Sequence, residues 1–270
     1  MTPAQTFPAF TDTCLKVESA SRRWDELHLY HGSKCNRTCA FCCVEGRPEG
    51  GHQPFTTEVL QAAVKIVAPR GSLKIYGGEP TLDSENMCWS VKHLRELGFE
   101  GAITFFSNGI RARALLTIVE SDPQANCRAV LNYSIATGRG EQPLPPASLR
   151  LLTSYAAQNP DRIYLSHDFI IPVGRQLGRE SYADSHEAPM HCFGCYPVLT
   201  SAGVFHACPF AVESPLSHFQ LGKSHTEVTE VQARFSHFQD WVRLKLEPKA
   251  TLLHQNACQT CLSEERPVFP

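Results

Sequence analysis

The chain has 270 residues, 25 Lys and Arg against 27 Asp and Glu, a net charge of −2 and 42% hydrophobic residues. That balance excludes a basic nucleic-acid-binding surface as the main feature, and no stretch approaches the ~20 apolar residues of a membrane helix. Twelve cysteines is the unusual count; with no basic, apolar leader after Met1-Thr2-Pro3-Ala4-Gln5, they are expected in a reducing cytoplasm, where grouped thiols bind metal rather than form disulfides.

Strand-like and helix-like segments alternate along the first two thirds. Residues 27–31 form a short apolar strand that runs into a cysteine-rich loop. Thr56 or Thr57 caps a helix with Val59, Ala63, Ile66 and Val67 on one side, ending near Pro69. A second strand, 73–76, closes on Gly77-Gly78. Asp83 or Ser84 then caps a helix with Met87, Val91 and Leu94 at i, i+4, i+7, stopped by Gly98. Residues 102–106 are a third strand ending in the turn Ser107-Asn108-Gly109, and 110–119 are helical with Ala114, Leu115 and Ile118 inward. Residues 129–135 alternate as a fourth strand. Pro145-Pro146 opens a helix carrying Leu149, Leu152 and Tyr155, and 163–171 is a β-branched, aromatic strand.

Repeated strand–helix units imply an α/β fold with a parallel sheet and right-handed crossovers. Ligand sites in such sheets lie at the C-terminal ends of the strands. Four chemistry-bearing segments fall at those ends: the cysteine loop, Gly77-Gly78-Glu79-Pro80, Ser107-Asn108 and Ser134. From about residue 185 the pattern changes to a hairpin over 197–208, turning near Ser201-Ala202-Gly203. A helix follows with Ser224 and Glu227 in capping-box spacing and Val228, Val231, Phe235, Phe238 and Val242 on one face, stopped by Pro248. The expected division is a barrel-like domain over 1–184 and a small appendage over 185–270.

The loop reads Cys35-x3-Cys39-x2-Cys42, with Phe41 before the third thiol. Three thiolates so spaced can hold three irons of a [4Fe–4S] cluster and leave the fourth open to a ligand. Alone, the loop equally suits a zinc knuckle or a disulfide knot. Together with Gly77-Gly78-Glu79-Pro80, it resembles the radical S-adenosylmethionine (SAM) family. The resemblance implies a partial (β/α)6 barrel with a small C-terminal appendage. It also implies SAM chelated by the open iron and an electron that cleaves its sulfonium to a 5′-deoxyadenosyl radical. It assigns Phe41 to the adenine, and Gly77, Gly78, Glu79 and Pro80 to the methionine end of SAM, with Glu79 accepting from its ammonium. Asn108 and Ser134 become ribose or methionine contacts.

Cys192, Cys208, Cys258 and Cys261 form a second group that suits zinc or another cluster. Their order, C-x10-G-x4-C…C-x2-C, is similar to the twitch appendage of that family, the shorter relative of the SPASM domain, and implies an auxiliary [4Fe–4S] cluster on these four. Cys195 is an alternative ligand to Cys192 and a catalytic candidate as hydrogen-atom donor; the plainer reading is a small buried hydrophobe. His191 is a further candidate ligand. Cys43 directly follows a ligand and is expected to point elsewhere. His167, Asp168 and Arg175 follow the last strand and are candidates to face substrate.

The expected activity is hydrogen abstraction from a small-molecule metabolite, a net oxidation or dehydrogenation with the auxiliary cluster accepting an electron, as the resemblance to aminocyclitol dehydrogenases implies. A flavodoxin- or ferredoxin-type electron donor is the expected partner. A peptide substrate with crosslinking, oxidation or epimerisation, activation of a glycyl-radical protein, and a noncatalytic metal-binding scaffold stay open. Only about two dozen residues precede the first strand, too few for a peptide-binding domain in front.

Overall fold

This computed structural model describes residues 7, 9–10, 23–40, 42–132, 143–166, 196–213, 219–246, 248 and 261. Five parallel strands, β2 (Trp24–Tyr30), β3 (Val67–Tyr76), β4 (Ala102–Ser107), β5 (Cys127–Leu131) and β6 (Ile163–Ser166), lie side by side in chain order. Between them run α1 (Thr57–Ile66), α2 (Ser84–Glu96), α3 (Ala112–Glu120) and α4 (Pro146–Gln158). This is the expected α/β arrangement of a partial barrel. A short β1 (Ala9–Phe10) adds in parallel beyond β6.

The C-terminal part extends the same sheet from its other edge. Strand β7 (Val198–Thr200) pairs parallel to β2, and β8 (Val204–His206) and β9 (Gln220–Lys223) follow antiparallel. Helix α5 (Val228–Trp241) packs behind and continues as a π turn through Leu246. Trp24 anchors this part to the barrel, meeting Phe205 and Phe235 edge-on with centroids 6.4 and 5.2 Å away. The expected division at 184/185 lies outside the described residues.

Local chemistry explains most boundaries. Thr56 caps α1 by accepting from Val59 N–H, and Asp83 caps α2 by accepting from Asn86 N–H. Strand β2 begins three residues before the expected start, at Trp24, which is buried against Phe205 and Phe235. Helix α1 stops at Ile66, not near Pro69. Pro69 instead sits in β3, where the register jumps from Trp24↔Val67 to Glu26↔Ser72 and the intervening residues bulge out of the ladder. A bulge is where a strand tolerates proline. The capping box is also corrected: Glu227 is itself the N-cap of α5, with no side-chain cap bond. Residues 133–135 and 167–171 of two expected strands lie outside the described residues.

The core lies between sheet and helices. Leu27, Leu29, Leu73, Ile75, Ile103 and Phe105 all point into it, against Leu60, Ile66, Val91, Leu94, Leu115 and Ile118 from the helices. No helix among the described residues is long and apolar enough to cross a membrane.

Candidate functional site

The opposite face of the sheet is polar. Lys74 Nζ lies 2.8 Å from Glu26 Oε2, and Glu26 Oε1 lies 2.9 Å from His28 Nε2. His28 stacks on Tyr196 at 5.1 Å, and Lys74 sits over the same ring at 5.6 Å. Burial works to raise Glu26, but His28 and Lys74 overcome it and hold the carboxyl below its ordinary value. Arg128 Nε donates to Thr104 Oγ1 at 3.0 Å, and its guanidinium lies over Tyr164. One row nearer the strand ends, Tyr30 and Tyr76 pack together; Tyr76 Oη donates to Pro209 O at 3.0 Å and Tyr30 Oη to Glu213 Oε1. Burial first, then the Glu213 carboxylate, pushes Tyr30 far up, so both stay phenols. These two bonds tie the turn that carries Cys208 to the barrel mouth.

The cysteine loop follows β2 at that mouth. It is folded on itself by Lys34 N–H to Gly51 O (2.9 Å), Cys35 N–H to Arg47 O (2.8 Å) and Arg47 N–H to Ser33 O (2.9 Å). The turn after β3 binds the same loop: Gly78 N–H donates to Gly32 O at 2.7 Å and Glu79 N–H to Lys34 O at 2.9 Å. A Cβ on Gly78 would lie 1.9 Å from Lys34 O, and one on Gly77, at φ +144, 2.4 Å from Gly32 O. Contact with the cysteine loop is therefore sufficient reason for both glycines.

Glu79 caps the short 3-10 turn Pro80–Asp83. Its Oε1 accepts from Thr81 N–H (3.1 Å), Thr81 Oγ1 (2.7 Å) and Ser107 Oγ (2.8 Å), and its Oε2 from Asn108 N–H (2.8 Å). Burial pushes this carboxyl up while the four donors pull it back. Glu79 is thus engaged within the chain by three donors on Oε1 and one on Oε2.

Cys35, Cys39 and Cys42 are half-buried. Gly46 N–H donates to Cys42 Sγ at 3.1 Å, and a Cβ on Gly46 would lie 3.3 Å from Cys35 Cβ and 3.5 Å from Cys42 Sγ. Gly46 thus keeps open the space between two thiols. Burial pushes the Cys35 thiol up, and the Glu79 and Cys42 charges add to it, against hydrogen bonds from the Arg37 backbone and the Asn108 amide. Three thiols on one loop are a donor set that a soft metal centre takes as thiolates. Among the described residues no three His, Cys, Asp or Glu side chains close on a single ion; cluster thiolates need not, since each holds a different iron. On these grounds the donor set fits an iron–sulfur cluster.

Of the second group, Cys261 is buried in the main core and Cys208 packs against it. Cys192, Cys195, Cys258, His191, Phe41, Ser134, His167, Asp168 and Arg175 lie outside the described residues. Cys43 packs beside Cys42 on the Tyr30–Tyr76 cluster. Sequence reasoning missed Asn36, whose Oδ1 accepts from Asn108 Nδ2 at 2.7 Å, and the inward residues Glu26, His28, Tyr30, Lys74 and Tyr76. Alternation was the available signal: Leu27, Leu29, Leu73 and Ile75 mark one face, and charged or aromatic residues fill the other.

No protein-family model matches the chain, and no curated protein does. Solved structures do. A structure of BtrN in complex with AdoMet and 2-DOIA is similar over 88% of this chain and 92% of that one, at 18% identity and a TM-score of 0.54. A structure of anSMEcpe with bound AdoMet is similar over 82% and 83%, at 13% identity and 0.47. For SuiB of Streptococcus suis bound to S-adenosylmethionine, the shares are 81% and 68%, at 14% identity and 0.45. The match to BtrN shows the fold, that of the radical SAM partial barrel.

Proposed function

We propose that the protein is a radical SAM enzyme that removes hydrogen from a small-molecule metabolite. The observation that carries this is the main-chain lock between the cysteine loop and the Gly77-Gly78-Glu79 turn, at the C-terminal ends of parallel strands. Cys35, Cys39 and Cys42 would hold three irons of a [4Fe–4S] cluster. Such a cluster, when bound and reduced, would supply the electron for reductive cleavage of SAM. Gly77, Gly78, Glu79 and Pro80 form the rim against which SAM would lie, with Phe41, Asn108 and Ser134 completing it. Gly46 N–H offers Cys42 a hydrogen bond that suits a ligating sulfur. Cys192, Cys208, Cys258 and Cys261 would hold the auxiliary cluster, which would serve as acceptor for the second electron of a net oxidation.

The polar inner face supports a small polar substrate. A barrel interior packed with branched aliphatics is a filled core; here Glu26, His28, Lys74, Thr104 and Arg128 line it instead. A flavodoxin- or ferredoxin-type protein in the cytoplasm is the proposed electron source. BtrN, the similar fold, is bound to AdoMet and 2-DOIA, which supports SAM at this rim.

The test is anaerobic. Protein purified and reconstituted without oxygen should carry iron and sulfide, and with dithionite and SAM should release 5′-deoxyadenosine; Cys42→Ser should abolish the release. Zinc in place of iron, or no deoxyadenosine from iron-loaded protein, would overturn the proposal.

A further inference from the structure

We infer that Asn108 is a positioning residue for Cys35 that tunes the barrel cluster, held in place by Glu79 and Asn36; the inference rests on the proposed function. Asn108 is buried at the end of β4 and fixed from three sides. Its N–H donates to Glu79 Oε2 at 2.8 Å, its Oδ1 accepts from Ile110 N–H at 3.0 Å, and its Nδ2 donates to Asn36 Oδ1 at 2.7 Å. The Ile110 bond decides which way the amide is turned. With Oδ1 engaged there, the NH2 group must face the cysteine loop, where Cys35 Sγ lies 3.9 Å away.

Glu79 explains why this amide does not swing away. A fully buried carboxylate is costly unless hydrogen-bonded, and Glu79 offsets part of that cost by gripping Thr81, Ser107 and Asn108 together. Ser107 Oγ in turn accepts from Gly109 N–H at 3.0 Å, which fixes the turn at Gly109, φ +71. The chain 79–107–108–36 thus joins two strand ends to the residue beside the first thiol. Hydrogen bonds to cluster sulfurs, together with charge and exposure, set the reduction potential of such centres. An N–H aimed at Cys35 stabilises the extra negative charge of the reduced state.

A SAM-contact role for Asn108 would show itself only with SAM present, so the test omits SAM. An EPR-monitored redox titration of the reconstituted protein should give a more negative midpoint for Asn108→Ala than for wild type. For Asn108→Asp, which removes the donor and adds a like charge, the expected fall in reduced fraction at fixed potential is on the order of tenfold, or about 59 mV for one electron. Asn36→Ala should shift the midpoint the same way by less. Loss of iron from Asn108→Asp with an unchanged far-UV spectrum would support the same role. Midpoints equal to wild type in Asn108→Ala and Asn36→Ala would overturn it. A wild-type protein that holds no cluster would overturn the proposed function instead.

Discussion

The two faces of the central sheet are built from the same strands and do opposite things. Toward the helices, Leu27, Leu29, Leu73, Ile75, Ile103 and Phe105 form a continuous apolar layer. Toward the barrel interior, one residue along, stand Glu26, His28, Lys74 and Thr104, each buried or nearly so and each paired. The first face stabilises the fold by removing apolar area from water. The second adds little stability, because desolvation offsets most of the attraction in a buried ion pair. What it gives is a polar interior under a mouth where cysteines and glycines meet. The difference teaches that alternation in β2 and β3 marks fold and site at once.

The comparison is broken most severely at the rim that joins both faces. Gly78→Ala drives a Cβ into Lys34 O and should cost about 4 kcal/mol, read from the urea midpoint, together with loss of iron. Next comes the inner face. Lys74→Met leaves Glu26 buried with His28 alone and should cost about 3 kcal/mol, while Glu26→Gln combined with Lys74→Met should recover most of it. The two neighbours differ in kind: an uncompensated charge accounts for the first loss and a restored neutral interior for the recovery.

The third effect depends on pH. His31 is fully buried behind the rim, and neither ring nitrogen has a hydrogen-bond partner among the described residues. Its neighbours are His52, with rings 5.7 Å apart, and Asp83, which is 2.7 Å from His52 Nε2. Burial, helped by His52 and opposed by Asp83, lowers His31 from 6.5 to about 3. Between those values the unfolded chain binds the extra proton, so this stability is present above pH 6.5 and is lost as pH falls toward 3. At pH 5 the loss is about 2 kcal/mol; His31→Leu should flatten that part of a pH–stability curve. Smallest is a methyl group from the apolar face: Ile75→Val should cost about 1 kcal/mol at every pH.

Much of the fold was legible because its signals are local. Thr56 and Asp83 cap helices, and Gly98 ends α2 at φ +87. Strand β9 was not legible: Gln220-Leu221-Gly222-Lys223 has one buried apolar residue and a glycine at φ +151, so neither alternation nor propensity marks it. Ser224 followed by Glu227 imitates a capping box, yet the Ser224 hydroxyl lies against Gly203, where a Cβ would meet it at 2.9 Å. At the site, the motifs gave position but not partners. Glu79 reaches Ser107 and Asn108, 28 and 29 residues away, through a strand pairing that no local pattern encodes. The same holds for Tyr76 and Pro209, 133 residues apart.

The central claim is that Cys35, Cys39 and Cys42 leave one iron of a cluster open to SAM. The most direct measurement is the EPR spectrum of anaerobically reduced protein before and after SAM is added. The account predicts a reduced [4Fe–4S] signal whose g-values shift when SAM binds; a signal that SAM leaves unchanged would contradict it.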